Sequence, residues 1–124
     1  PQRTIDKAHE GVAAHADSLR RASEAGVRIA MGTDAGVSPH GENLRELEEM
    51  VKAGMSSIDV LRATTSSAAQ LLEMDDRRGR IREGYAADVV AYRGDALDLT
   101  GLASRVGLVI QDGRIMREEL TRTA

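Results

Sequence analysis

The sequence has no cysteine, phenylalanine or tryptophan, and only two tyrosines among 124 residues. Without cysteine, the chain forms no disulfide framework, no thiolate zinc site and no cysteine nucleophile. The scarcity of aromatic side chains and the net charge of −3 argue against nucleic acid as a partner, because they leave neither stacking platforms nor a basic surface. No apolar run approaches the roughly 20 residues of a membrane span, and no stretch has the pattern of a signal peptide. We therefore expect a cytoplasmic protein that binds neither nucleic acid nor membrane.

What remains is the composition of a globular domain, with 41% hydrophobic and 30% charged residues. Between Ile5 and Ala25, apolar residues recur at steps of three and four, which predicts one long helix ended by Gly26. Three further helices are predicted over 43–54 with Asn43 as N-cap, from Ser57 as N-cap, and over 67–72.

A short apolar run, Val27 to Met31, follows the long helix and stops at Gly32, directly before Thr33 and Asp34. The run predicts a buried strand that delivers the Asp34 carboxylate to its C-terminal edge. In parallel α/β sheets and barrels, active sites lie at that edge. The alternative is that Asp34 caps the next helix or turns the chain.

The last third of the chain has the pattern of strands. Residues 87–92 and 106–110 are rich in β-branched side chains and predict two strands. The pair Asp112–Gly113 predicts a tight hairpin turn, with Ile115–Met116 in the returning strand. A cluster of arginines interspersed with acidic residues precedes these strands and predicts a solvated linker. Its members are Arg77, Arg78, Arg80 and Arg82.

Four motifs occur in order along the chain: Gly32-Thr-Asp-Ala-Gly36, Leu61-Arg-Ala-Thr-Thr-Ser-Ser-Ala-Ala-Gln-Leu-Leu72, Gly79-Arg-Ile-Arg-Glu-Gly-Tyr-Ala-Ala-Asp-Val-Val90 and Asp112-Gly-Arg114. In this order and at this spacing they resemble the C-terminal third of the amidohydrolase superfamily. The branch they resemble contains imidazolonepropionase-like enzymes and bacterial Xaa-Pro or Xaa-Arg dipeptidases. The resemblance extends from about Lys7 to Arg117 and implies a metal-dependent hydrolase.

The resemblance implies an α/β fold class: the C-terminal portion of a (β/α)8 barrel, followed by part of a small antiparallel β-sandwich. Residues 1–75 would supply the last barrel strand and its helices, and residues 76–124 the small antiparallel β domain. The family keeps an aspartate at the position of Asp88, for which we expect a structural role in a turn or between sheet and barrel.

The same resemblance assigns roles to three residues. Asp34 would end the eighth barrel strand, bind the metal and take a proton from the attacking water, which suits a carboxylate beside a divalent cation. His40, on the following loop, would face the active-site mouth and contact substrate; the alternative is a solvated loop histidine. Thr33 would support Asp34 through its hydroxyl or backbone, or have no role beyond ending the strand.

The other ligands of such a site are missing from this sequence. The superfamily has a His-x-His pair on the first barrel strand and further histidines on later strands, whereas this chain has no His-x-His. His9 and His15 are six residues apart, so they do not share a helix face. A zinc site needs about three protein ligands and a barrel needs eight strands in roughly 250 residues. The divalent metal, with zinc as the default, would therefore have an incomplete site here.

Three hypotheses follow for the function. The chain is the C-terminal part of a metal-dependent amidohydrolase that cleaves C–N amide bonds of a small-molecule substrate, a dipeptide or a cyclic amide, and is inactive alone. Alternatively, it is a non-catalytic module of the same ancestry that self-associates, or Asp34 belongs to another α/β fold. Exposed apolar faces predict a homo-oligomer or association with the missing barrel portion.

Overall fold

The computed structural model describes residues 2–34, 36 and 41–119, with side chains from residue 11 onward. Five helices and three strands form within these residues. The helices are α1 (Gln2–Glu24), α2 (Arg45–Lys52), α3 (Ser57–Thr64), α4 (Ser66–Leu71) and the single turn α5 (Leu102–Arg105), and the strands are β1 (Val89–Tyr92), β2 (Val106–Gln111) and β3 (Arg114–Glu118). In the part of the chain so described, no helix has the length and apolar character needed to cross a membrane.

The long first helix ends at a glycine, as the sequence predicts. The N–H of Gly26 donates to the carbonyl of Ser23, and the N–H of Val27 donates to the carbonyl of Ala22, both at 3.0 Å. Gly26 has a φ of 72°, a conformation that glycine adopts without a Cβ clash. This pair of bonds satisfies two carbonyls that the helix itself leaves unpaired. The chain then leaves α1 directly into the segment 27–34.

The predicted N-caps of α2 and α3 are both wrong. Leu44 precedes α2 with helical dihedral angles and no side-chain capping bond, so Asn43 lies too early to cap it. At α3 the cap is Ser56 rather than Ser57, because Ser56 has an extended backbone and its hydroxyl accepts the N–H of Asp59 at 3.2 Å. The Ser56 hydroxyl also donates to the Asp59 carboxylate at 2.6 Å.

The core lies around α2 and α3 and includes side chains from segments that follow these two helices in the sequence. All seven buried members of its central cluster are apolar: Leu47, Met50, Met55, Val60, Ala63, Leu99 and Leu102. Val60 is fully buried, and Leu99 and Leu102 are 3% and 4% exposed. The last two residues precede β2, so the segments before and after residue 75 share one core.

The C-terminal strands form an antiparallel sheet in the order β1-β2-β3, which confirms the predicted sheet. Asp112 and Gly113 connect β2 to β3 with φ of 46° and 77°. Positive φ at both central residues is the geometry that matches the twist of a two-residue hairpin. Every residue of β3 is exposed, so this edge of the sheet faces solvent.

The predicted buried strand over 27–31 is not formed. Val27 is 57% exposed, while Ile29 and Met31 are half-buried against the core. A strand requires a neighbouring strand to pair with, and within residues 2–34, 36 and 41–119 the three strands that form pair only with one another. The segment therefore lacks the partner that the prediction assumed.

Candidate functional site

The segment that ends at Asp34 is attached to the core by its middle residues. Ile29 and Met31 pack against the buried cluster. The N–H of Met31 donates to the carbonyl of Ala63 at 3.0 Å, near the C-terminal end of α3. Three residues beyond this bond, the chain reaches Asp34. The position of Asp34 is therefore set by a backbone contact with α3 and by the packing of two apolar side chains.

Asp34 has an unusual backbone conformation. Its φ is 46°, in the left-handed region, where aspartate and asparagine are several-fold enriched among residues other than glycine. Holding a residue with a Cβ there costs about 1 kcal/mol. The Asp34 side chain is exposed, whereas Thr33 before it is half-buried. The strained residue thus presents its carboxylate outward, where it is accessible to a ligand.

The structure places some of the predicted site residues and not others. Thr33 and Asp34 are neighbours at the end of the core-anchored segment, whereas His40 lies outside the described residues. His15 is exposed on α1, as expected for a surface residue, and the side chain of His9 is outside the described part. The roles of Thr33, Asp34 and His40 stay predictions.

The donor set around Asp34 does not make a metal site by itself. Across the described ranges, no three histidine, cysteine, aspartate or glutamate side chains come together in a way that could hold an ion. A zinc site needs about three protein ligands. The exposed Asp34 carboxylate fits one ligand position, and the described residues do not fit a whole site.

A groove of about 490 Å³ lies at the opposite end of the segment, between residues 27–30 and α4. It is lined by Val27, Arg28, Ile29, Ala30, Ser67, Gln70, Leu71 and Glu73. Neither Thr33 nor Asp34 contributes to this lining. The groove and the candidate carboxylate are therefore separate features of the segment.

Arg78, predicted to be part of a solvated linker, instead bridges two carboxylates. Its guanidinium donates to Asp88 and, at 2.8 Å, to Asp112. The carboxylate of Asp88 also accepts the N–H of Asp112 at 2.9 Å. This N–H bond, together with Arg78, lowers the pKa of Asp88 below its ordinary value. Asp88 thus has a structural role at the turn between β2 and β3, as expected. The predicted solvated linker holds for Arg77, Arg80 and Arg82, which are exposed, whereas Arg78 is 34% exposed and paired with two carboxylates.

Arg105 is a second organising arginine that sequence patterns did not indicate. Its guanidinium donates to the carbonyls of Arg93 at 2.8 Å, Thr100 at 3.2 Å and Asp98. It also lies over the ring of Tyr92, 5.6 Å from the centroid. These contacts shape the loop between β1 and α5 that carries Leu99 into the core. Only the carbonyl positions in the folded loop reveal this role, because backbone acceptors leave no mark in a sequence.

The chain is similar to known hydrolases along most of its length. A sequence model described as the amidohydrolase family matches residues 3–116. The ochratoxinase of Aspergillus niger is 35% identical over 86 residues, which are 68% of this chain and 18% of that protein.

Solved structures give the same relationship. A Xaa-Pro dipeptidase with methionine bound in its active site superposes with a TM-score of 0.77 and 38% identity, over 82% of this chain and 25% of that one. The Aspergillus niger ochratoxinase structure superposes with a TM-score of 0.71 and 31% identity, over 84% of this chain and 24% of that one. The chain thus spans about a quarter or less of each relative.

Proposed function

Because the chain belongs to the amidohydrolase family, we propose that it is the C-terminal portion of a metal-dependent hydrolase that cleaves C–N amide bonds. The substrate would be a small molecule, such as a dipeptide or a cyclic amide. Support comes from the match over residues 3–116 and from the similarity to a Xaa-Pro dipeptidase. The observation that carries the proposal is the exposed carboxylate of Asp34, held at the end of a core-anchored segment in the motif Gly32–Gly36.

In this proposal Asp34 is the residue of this chain that takes part in chemistry. A bound divalent metal, zinc by default, would lower the pKa of the attacking water. The Asp34 carboxylate would supply one ligand, accept the proton from that water and later transfer it to the leaving amine. Thr33 would support Asp34, and His40 would contact the substrate.

The chain alone would be inactive, because a complete site needs ligands that its described residues do not bring together. Residues 1–75 would contribute the last elements of a (β/α)8 barrel, and residues 76–124 the small antiparallel β domain. Activity would require association with the rest of the barrel. We place the enzyme in the cytoplasm, with which the cysteine-free composition is compatible.

The test is an Asp34→Asn substitution in the complete hydrolase. Asparagine keeps the size of the side chain and tolerates the left-handed φ, so the fold should persist. Loss of the general base should lower kcat/KM for the amide substrate by at least about 100-fold. Asp76→Asn removes an exposed carboxylate that is paired with its neighbour Arg77; it is the matched control and should leave turnover unchanged. Near-normal turnover in the Asp34 variant would refute the assignment.

A second candidate is a non-catalytic module of the same ancestry that self-associates. It is favoured by the exposure of large apolar side chains beside the groove: Val27 is 57%, Leu71 73% and Leu72 65% exposed. The intact mass of the native gene product separates the two candidates. A product of roughly 40 kDa or more has room for a whole barrel, whereas a 13.3 kDa product without a partner chain would favour the module.

A further inference from the structure

The loop that joins the helices to the sheet is closed on itself. The hydroxyl of Tyr85 donates to the carbonyl of Asp75 at 2.7 Å. The N–H of Ala86 donates to the carbonyl of Arg77 at 2.9 Å. These two bonds bring the ends of residues 75–86 together, so the connection between the helical and sheet regions is a compact loop rather than an extended linker.

One side of this loop packs against α4 at Gly79. Gly79 has a φ of 84°, and a Cβ added there would lie 2.6 Å from the Cβ of Ala69 and 2.9 Å from the carbonyl oxygen of Thr65. Both distances are shorter than van der Waals contact. The backbone of the loop therefore approaches the start and middle of α4 as closely as a glycine permits, and Ala69 is buried beneath it.

The other side of the loop binds the hairpin through Arg78. The arginine spans two segments that are far apart in sequence, Asp88 before β1 and Asp112 in the turn between β2 and β3. Asp88 in turn accepts the N–H of Asp112, and the N–H of Gly113 donates to the carbonyl of Ala87 at 3.0 Å. The arginine is thus one member of a connected network, with its side chain 34% exposed.

Two consecutive residues, Gly79 and Arg78, therefore contact two different regions of the molecule. We propose that residues 78 and 79 form a two-sided joint that fastens the hairpin end of the sheet to α4, with Arg78 as the part that can open independently of the helical core. The opposite end of the sheet is held in another way, by Leu99 and Leu102 in the apolar core. Opening the joint would free the hairpin while the core stays closed.

Arginine suits this position because its planar guanidinium presents separate N–H groups to two acceptors at once. A lysine ammonium is a compact point charge and lacks this rigid fork of N–H groups. The neighbouring Arg77 provides a matched comparison, because its guanidinium donates to the exposed carboxylate of the adjacent Asp76, at 3.3 Å, and not to a distant segment within the described residues.

Amide hydrogen exchange of the full chain, measured residue by residue, tests the proposal. In Arg78→Gln, the amides of Ala86, Asp112 and Gly113 should exchange at least about tenfold faster, while core amides such as that of Val60 keep their wild-type rates. Arg77→Gln should leave both groups of amides unchanged. Unchanged exchange at the hairpin in Arg78→Gln, or an equal acceleration of core and hairpin amides, would overturn the proposal.

A milder variant keeps the test decisive if Arg78→Gln does not fold. Asp112→Asn removes one charged acceptor of Arg78 and keeps a residue that tolerates the φ of 46° at this position. We expect the amides of Ala86, Asp112 and Gly113 to exchange faster than in the wild type, by a smaller factor than in Arg78→Gln. Wild-type exchange at the hairpin in the Asp112 variant would also contradict the joint.

Discussion

The helical core and the three-stranded sheet of this chain are held by different kinds of contact. Around α2 and α3, apolar side chains exclude water, and no polar side chain is buried among the described residues. In the sheet, every residue of β3 is exposed, and the hairpin end is fastened by the Arg78 network. A sheet with one face and one edge open to solvent buries too little apolar surface to fix its own position. The position of the sheet is fixed instead by the polar contacts of Arg78 and by two leucines inserted into the helical core.

The largest effect in this comparison should come from the leucines that connect the two regions. Leu102→Ala removes a side chain that is 4% exposed and leaves a cavity, which should lower the free energy of unfolding by about 4 kcal/mol. Leu97→Ala, in the loop just before α5, is the matched control, because Leu97 is 48% exposed. Urea unfolding of both variants checks the prediction. Equal losses in the two would mean that Leu102 does not carry the connection.

The next effect concerns the close approach of the joint to α4. Gly79→Ala adds a Cβ that meets Ala69 and Thr65, whereas at Gly84, with nearly the same φ of 83°, an added Cβ meets nothing within 4 Å. Both substitutions therefore cost about 1 kcal/mol of backbone strain. Overpacking should add about 2 kcal/mol at Gly79 alone. The difference between the free energies of unfolding of the two variants, obtained from urea titrations, measures this packing term. A difference near zero would show that α4 moves away without cost.

A smaller effect is expected within the helical region, at the start of α3. Ser56→Ala removes the hydroxyl that accepts the N–H of Asp59 and should lower the free energy of unfolding by about 1 kcal/mol. Ser57→Ala should change it by less than about 0.5 kcal/mol. Thermal or urea unfolding distinguishes the two adjacent serines. The reverse order of effects would restore Ser57 as the cap.

The smallest expected effect is the pH dependence of the sheet region. The N–H of Asp112, with Arg78, holds the pKa of Asp88 below its ordinary value. The ionised carboxylate therefore stabilises the folded state above the unfolded-state pKa, and this contribution is lost as the pH falls through the lower, folded-state pKa. Urea midpoints should decline as the pH falls below about 5, and the decline should be shallower in Asp88→Asn than in Asp76→Asn. Parallel curves for the two variants would argue against a stabilising role of the charge.

Local patterns predicted the elements whose determinants are local. The period of three and four along α1, its end at Gly26 and the Asp112–Gly113 turn all depend on residues close in sequence, and all three are confirmed. The fourth helix, predicted over 67–72, forms over Ser66–Leu71. Its left-handed residue is Glu73, with a φ of 54°, where no glycine marks the stop. The N–H of Met74 there donates to the carbonyl of Ala69 at 2.8 Å.

The candidate site also combines one feature that the sequence predicted with others that it did not. The motif Gly32–Gly36 singled out Asp34 because a carboxylate directly after an apolar run is typical of a strand-edge site. The predicted strand itself did not form, because pairing depends on a neighbour that the described residues do not provide. The left-handed φ of Asp34 and the bond from the N–H of Met31 to the carbonyl of Ala63 are features of the folded chain that the run of residue types did not predict.

Residue types at short spacing were sufficient to identify the family, the long helix, the hairpin turn and the candidate carboxylate, because each of these depends on neighbours along the chain. Three contacts become apparent only in the folded chain. Arg78 bridges Asp88 and Asp112. Arg105 donates to backbone carbonyls of the loop before α5, and Leu99 and Leu102 join the helical core. The physical reason is that an arginine or a leucine is compatible with many environments. Its partner is chosen only when folding brings distant carbonyls, carboxylates or apolar surfaces within contact distance.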